Sequence, residues 1–489
     1  MLCDDLKEKL ALGFVDLILV IDIDELAVKC DIKSIVLEAG YEFIYYTDTL
    51  EFRYYYENNL RNRDNKKVFV LADAEKYIPY DIQKRFYMVE IGYSTFFYNL
   101  DVAAIRESKI VEDRLLYIAY QNHFGGKLNY NQTIQFIKNE MHSRNNANEY
   151  VDVLSTEIRC LLTSNPGYRE WYRIAFLWAN IRHIVNRGYS DKDINILFKE
   201  VNGIFKNWML ENYKSLSANP ISESPVMVYR SNDYISGKSK KAALIVIDGM
   251  SIENWQLLKQ SLYPLTKMKE NYAFSLLPSI TSISRKAIFS GSLPVKQADL
   301  FGLSDEKSLW IQYWKAKGYF ENDIFYGRGF NVELPYNTRI AGIIINDVDD
   351  AMHGQVFGSE GMNLNVSLFA KKGEINNLVD RLLKSNFDIY LTADHGNLEA
   401  IGIGKVTNEG LNTEATSQRA RAYKAFADTG KIRSIDGVFQ YPGYYLPKDF
   451  EYYLCDENLA FANKGKTIVC HGGMSVEEVI VPFIEIRSK

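Results

Sequence analysis

The chain has 489 residues, 47% hydrophobic and 24% charged, which excludes a disordered or collagen-like protein and exceeds what one ordinary core organises. Its net charge of −5 carries no global signature of a nucleic-acid or anionic-membrane ligand, although a local basic groove stays open. Histidine is scarce, with six in the chain, so the positions of those six are informative.

The amino terminus, Met1-Leu2-Cys3-Asp4-Asp5, is acidic where a signal peptide is basic. The most apolar early run, Val15 to Ile21, contains Asp16, and no stretch approaches the roughly 20 apolar residues of a membrane span. The five cysteines (Cys3, Cys30, Cys160, Cys455, Cys470) are odd in number and widely spaced, without a Cys-x-x-Cys pair. Neither a disulfide framework nor a zinc finger is expected of them. The expectation is a soluble, cytoplasmic protein with no membrane partner.

Residues 1–105 alternate short β-branched runs with helical stretches, which predicts a small α/β domain with strands at Leu17–Ile21 and Val68–Leu71. It holds no Gly-rich phosphate loop. Asp22, Asp24 and Glu25 have the composition of an acidic pocket, but a solvated strand-to-helix turn accounts for them. Residues 106–214 read as a helical connector, with an apolar stripe at Leu115, Leu116, Ile118 and Ala119. A long aromatic helix follows over Tyr168–Val185, started by Asn165-Pro166-Gly167 and ending near Gly188. His123, His142 and His183 lie here without Cys or acid at ligand spacing and read as ordinary. Residues 215–241 contain Pro220, Pro225 and Gly237-Lys238-Ser239-Lys240-Lys241, the composition of a linker.

From 242 to 489 one pattern recurs four times: an apolar run ends on a metal-ligand residue type. Ala242–Ile247 stops at Asp248-Gly249, and Ile343–Ile345 runs into Asn346-Asp347-Val348-Asp349, with His353 four residues on. Ile389–Ala393 ends on Asp394-His395-Gly396, and Thr467–Cys470 ends on His471-Gly472-Gly473. Continuous apolar runs suit strands buried on both faces of a mainly parallel sheet, where ligands collect beyond the carboxyl ends. Each piece alone is weak, because Asp-Gly is an ordinary turn and Asp-x-x-x-His pairs arise by chance. Together they deliver carboxylates and imidazoles to one crevice, the donor mix of a zinc or manganese site.

Between these runs, Pro278-Ser279-Ile280-Thr281-Ser282-Ile283-Ser284-Arg285 leads into a helix closed by Gly291. Thr281 or Ser282 falls at its N-terminus, where free amides and the dipole favour an anion. A hydroxyl beside a divalent cation is a nucleophile near neutral pH, but the same Thr281 also suits a simple N-cap. Arg285, one turn on, has the reach for bidentate phosphate binding. The segment Asn397–Val469, with Gly402, Gly404, Gly410, Gly430 and Gly437, predicts a loop-rich cap. In it, Arg419 and Arg421 are readable as a phosphate or nucleotide contact or as a solvated basic turn.

These motifs resemble the alkaline phosphatase superfamily. Within it, Val246–Met250, Pro278–Arg285 and His471-Gly-Gly-Met-Ser-Val-Glu-Glu-Val-Ile-Val-Pro482 resemble the PglZ domain of bacteriophage-exclusion (BREX) defence loci, over about residues 240–489. The resemblance implies an alkaline-phosphatase-like, doubly wound α/β domain. It also implies two metal sites: Asp248, Thr281, Asp394 and His395 at one, and Asp349, His353 and His471 at the other. Asp347 and Asp350 compete with Asp349, whose four-residue spacing to His353 is preferred. Thr281 as nucleophile and Arg285 as charge-offsetting group then define a two-metal phosphomonoesterase or phosphodiesterase in an anti-phage system. Its substrate is a phosphoester or nucleotide, with other defence-system subunits as partners. A phosphomutase, or a non-catalytic assembly subunit with a structural metal site, are the competing readings.

Overall fold

The computed structural model describes residues 2–61, 66–74, 76–108, 112–123, 125–262, 266–297, 299–353, 357–406 and 413–488. Gly410, expected in the cap, lies outside the described residues. The chain forms two compact units, Met1–Tyr150 and Val151–Lys489. The helical stretch at 106–214 is divided between them: helices Asp113–Gln121 and Tyr130–Asn139 belong to the first, Tyr168–Asn186 and Asn195–Asn212 to the second.

In the first unit, strands β1 (Leu17–Asp22), β2 (Glu42–Tyr46), β3 (Val68–Asp73) and β4 (Tyr87–Ile91) form a parallel sheet in the order β2-β3-β1-β4. Leu19, Val68 and Val70 pack against Phe52 and Tyr56 of helix Thr49–Asn59. Two of the three acidic residues at the end of β1, Asp22 and Asp24, are structural, while Glu25 is exposed. Asp22 is buried and accepts the amides of Leu26 and Ala27, each at 2.9 Å, while Asp24 accepts Tyr93 N and pairs with Arg106. This differs from the expected solvated turn, because buried amides at the helix start need an acceptor. Cys3 and Cys30 form a disulfide, which the sequence spacing does not signal; the helix Leu2–Lys9 buries Leu2 and Leu6 and the fold brings Cys3 to Cys30. Cys160, Cys455 and Cys470 are free thiols.

The second unit is built on strands β5 (Ala242–Ile247), β6 (Thr266–Phe274), β7 (Ile324–Arg328), β8 (Ile340–Ile345), β9 (Asp388–Thr392), β10 (Leu398–Gly402), β11 (Thr413–Thr416), β12 (Ala420–Lys424), β13 (Val438–Tyr441), β14 (Phe450–Cys455), β15 (Leu459–Ala460), β16 (Thr467–Cys470) and β17 (Ile480–Ser488). Its main sheet runs β6-β17-β9-β5-β8-β7, with β9, β5, β8 and β7 parallel and β17 antiparallel to β9 and β6. Every residue of β5 and β8 is buried, as a strand covered on both faces requires. Register sets Ile247 beside Ile345 and Val246 beside Thr392, so the residues that follow these strands emerge side by side.

One of the four ligand-bearing strands departs from the expected single sheet. β16 belongs to a separate three-stranded sheet, β15-β10-β16, in which Leu398 of β10 pairs antiparallel with Cys470. Because β10 follows directly on Asp394-His395-Gly396, this pairing still places His471 next to His395. The segment 397–469 combines connecting loops with regular structure: besides β10, β15 and β16 it holds the antiparallel sheet β11-β12-β14-β13. Residues 215–241 carry the composition of a linker, yet Val226, Met227, Val228, Tyr234 and Ile235 are buried in this unit. Among the described residues, no helix is long and apolar enough to cross a membrane.

Candidate functional site

The turn after β5 starts the site. Gly249 has φ +72°, a left-handed conformation that side chains resist, and a Cβ there would stand 3.5 Å from the Asp349 side chain. This turn lets Asp248 face inward while the helix Asp347–His353 approaches. Of the three carboxylates on that helix, Asp349 faces the site: its Oδ2 lies 3.2 Å from His353 Nε2 and its Oδ1 4.0 Å from His471 Nε2. Asp347 and Asp350 join neither cluster of ligand atoms.

Thr281 opens the helix Thr281–Ser290, but Ile280 is the N-cap residue, in extended backbone, and no side chain caps the helix. The capping role open to Thr281 in the sequence is therefore not the one it takes. Its Oγ1 lies 3.0 Å from His395 Nε2 and 3.4 Å from Asp248 Oδ1. Ile283 and Ser284 are the first amides to bond back, to Ile280 O, so those of Thr281 and Ser282 precede the intrahelical ladder.

His395 Nδ1 donates to Gly396 O and His471 Nδ1 to Ser279 O, each at 2.9 Å. A carbonyl only accepts, so both protons sit on Nδ1 and both Nε2 lone pairs turn inward. Gly396 permits this turn by closeness rather than by φ: a Cβ there would lie 1.9 Å from Glu477 O. Burial and the neighbouring His395 push the His471 imidazole down to about 3, keeping it neutral. Burial raises the Asp394 carboxyl to about 6 and, with the Asp394 charge nearby, raises Asp248 well above its ordinary range. Burial is the largest single influence on Asp349 and opposes its charge, but the His353 bond together with the nearby His395, His471 and His353 rings outweighs it and holds that carboxyl low.

Arg285 stands elsewhere than expected. Its side chain is buried, its Nη1 pairs with Asp248 Oδ2, and its Nε donates to Glu306 Oε1 at 2.9 Å. The guanidinium is thus turned to two carboxylates, because burying Asp248 demands a counter-charge. Arg419 and Arg421 are neither a phosphate contact nor a solvated turn. Arg419 is buried against Glu478, and Arg421 lies over the Phe461 ring and bonds backbone carbonyls. Two contributors are not among the expected site residues. Glu306 is 1% exposed and takes Arg285, Tyr326 and Arg328, while Ser279 anchors His471. Ser279 at least sits in the Thr281 motif; Glu306, in Asp305-Glu306-Lys307, has no local signal.

The side chains gather into two clusters, Asp248-Asp394-His395 and Asp349-His353-His471, with the ligand atoms of each within 4.8 Å of one another. The arrangement suits divalent cations. Asp394 Oδ2 and Asp349 Oδ1 are buried without a hydrogen-bond donor among the described residues, and the Arg285 guanidinium pairs with Asp248 alone of the three cluster aspartates. Aspartate oxygens with neutral imidazole nitrogens are ligands for zinc or manganese.

Among curated proteins, no sequence matches the chain. Solved structures with some likeness include murine ectonucleotide pyrophosphatase/phosphodiesterase 5, 11% identical, covering 51% of this chain and 88% of its own, with a TM-score of 0.38. Its human counterpart is 10% identical, covering 50% and 87%, with a TM-score of 0.36. Phosphonoacetate hydrolase from Sinorhizobium meliloti, in complex with phosphonoformate, is 13% identical, covering 50% and 90%, with a TM-score of 0.33. The family model described as the BREX system PglZ alkaline phosphatase-like domain matches residues 231–486, more than half the chain. With its mainly parallel sheet carrying these motifs at its strand ends, the chain belongs to the PglZ family of alkaline phosphatase-like proteins.

Proposed function

We propose that this chain is a cytoplasmic, metal-dependent phosphoester hydrolase of a bacterial anti-phage system, with Thr281 as nucleophile. The observation that carries this reading is the Thr281 hydroxyl, at a helix N-terminus, 3.0 Å from His395 and 3.4 Å from Asp248 in one ligand cluster. Asp248, Asp394 and His395, with Thr281, would hold one cation, and Asp349, His353 and His471 the other. Bound there, zinc or manganese supplies Lewis acidity, which offsets charge on phosphoryl oxygens and makes a hydroxyl ionisable near neutral pH.

The chain's own residues do the rest. Asp248 Oδ1 and His395 Nε2 are the acceptors within reach of the Thr281 hydroxyl proton. The amides of Thr281 and Ser282 and the helix dipole offer donors to the phosphoryl oxygens. Thr281 Oγ then bonds to phosphorus as the ester oxygen leaves in line, and water hydrolyses the phosphothreonine to regenerate the hydroxyl. Arg285 acts at one remove, fixing Asp248 against Glu306.

The test is hydrolysis of nitrophenyl phosphate and bis-nitrophenyl phosphate by the chain stripped of metal and reloaded with zinc or manganese. Thr281→Ala should lower kcat by about a thousandfold or more with folding intact. Turnover retained in Thr281→Ala would remove the nucleophile assignment, and turnover indifferent to chelator would remove the metals. No hydrolysis by the reloaded wild type, with chelator-sensitive subunit binding, would favour an assembly role.

A further inference from the structure

The turn that carries His471 is held by a buried ion pair reaching in from the inserted 397–469 segment. Glu478 is fully buried, and its Oε1 accepts Gly473 N at 2.8 Å and Arg419 Nε at 2.9 Å. Its Oε2 accepts Ser475 N at 3.1 Å and Ser475 Oγ at 2.8 Å. The carboxylate is thus shared between Arg419 and the turn itself. Arg419, 1% exposed and just ahead of β12, also donates to Leu459 O at 2.6 Å and Glu457 O at 2.7 Å. One planar guanidinium therefore fastens the β14–β15 connection and the His471 turn together.

Neighbouring Glu477 faces a different set of partners. It takes Trp178 Nε1 at 2.6 Å, Arg182 Nη1 at 3.2 Å and Asn202 Nδ2 at 3.3 Å, from the helices Tyr168–Asn186 and Asn195–Asn212. Adjacent glutamates thus tie the turn to two different parts of the unit. A buried ion pair is weak as a source of stability, since apolar side chains of similar volume do as well. What Arg419–Glu478 supplies is geometry: directly after His471 the chain runs through Gly472 and Gly473, which have no side chains to pack, before the buried Met474. The other restraint there is Ser279, whose hydroxyl donates to Gly473 O at 2.8 Å and accepts Gly472 N at 3.1 Å.

We infer that Arg419 and Glu478 are positioning residues for the Asp349-His353-His471 cluster: they hold His471 opposite Asp349 and make the metal affinity of that cluster depend on the inserted segment. The Asp248-Asp394-His395 cluster should be spared, because the main-chain bond from Gly396 N to Glu478 O, at 2.9 Å, survives side-chain substitution and keeps the turn that bears His395 in place. This inference rests on the two-metal reading proposed above.

The test is calorimetric titration of the metal-stripped full chain with zinc. Wild type is expected to bind two zinc ions, and His471→Ala marks the signature of a lost second site. Arg419→Lys keeps the charge but not the fork, so it should weaken the second site by about 10–100-fold and leave the first unchanged, with an unaltered circular dichroism spectrum. Two wild-type-like sites in Arg419→Lys, or equal weakening of both, would overturn the inference. If Arg419→Lys does not fold, Arg419→Leu/Glu478→Gln leaves no unpaired buried charge and is read the same way. A wild type that binds fewer than two zinc ions overturns the two-metal reading itself, a failure visible without any variant.

Discussion

The imidazoles of His395 and His471 lie face to face, their ring centroids 3.9 Å apart and their planes 7° from parallel. Their Nδ1 atoms are tied to Gly396 O and Ser279 O, so the stack fixes two Nε2 atoms within one small volume. Burial and the adjacent His395 ring favour the neutral form of His471, the form that a metal needs.

A pH dependence follows for the metal-free chain. The folded His471 is held down to about 3, against 6.5 for the free side chain, by burial and by His395. Between those values the unfolded chain binds the extra proton, so the His471 contribution to stability is complete above about 6.5 and is lost as pH falls toward 3. Melting temperatures of the stripped chain from pH 7 to pH 4 should fall more steeply for wild type than for His471→Gln. Parallel slopes would show that the ring is not neutral by burial.

Arg285 separates two roles by two measurements. It bridges Asp248 and Glu306, both buried, so Arg285→Met leaves the Asp248 carboxylate without its guanidinium and should cost about 3–5 kcal/mol in urea denaturation of the metal-free chain. A direct phosphate contact would instead raise KM with stability intact. Full stability with a raised KM would return Arg285 to the substrate.

The cysteines give a test that needs no activity. Burial pushes the Cys455 thiol up to about 12 and raises Cys470 still further, so neither offers thiolate at ordinary pH. Cys160 is exposed, and Cys3 is joined to Cys30. Native protein treated with iodoacetamide at mildly alkaline pH should carry one adduct, on Cys160, by peptide mass mapping. Unfolding without reductant should label the three free cysteines, and added reductant all five. Five adducts without reductant would remove the disulfide.

The legible parts of the site are those written close together in the chain. Asp248 and Asp394-His395 follow apolar runs whose burial on both faces shows in composition, and Asp349–His353 is a one-turn helical pair. His471 was readable as the end of a strand, but not the sheet that strand joins, because its partner β10 lies some seventy residues away. Glu306 and Arg419 were unreadable as site supports for a related reason. Each is a charged residue in polar surroundings, and its burial is decided by tertiary partners. The Pro- and Ser-bearing stretch at 215–241 misleads in the opposite sense, since its few apolar residues suffice to pack it.

The two turn glycines should answer differently to the same substitution. At Gly249 the backbone is left-handed and the nearest atoms lie at 3.5 Å, so alanine finds room and loses mainly conformational energy, about 1–2 kcal/mol. At Gly396 the obstacle is Glu477 O, 1.9 Å from the added methyl. A backbone carbonyl cannot swing aside like a flexible side chain, so Asp394-His395-Gly396 and the turn bearing His471 must separate. Gly396→Ala should therefore lower the urea midpoint more than Gly249→Ala and weaken zinc binding at both clusters, since each has a ligand on one of those turns. Zinc affinity kept in Gly396→Ala, or a larger loss of stability in Gly249→Ala, would show that the two turns are not packed backbone to backbone in solution.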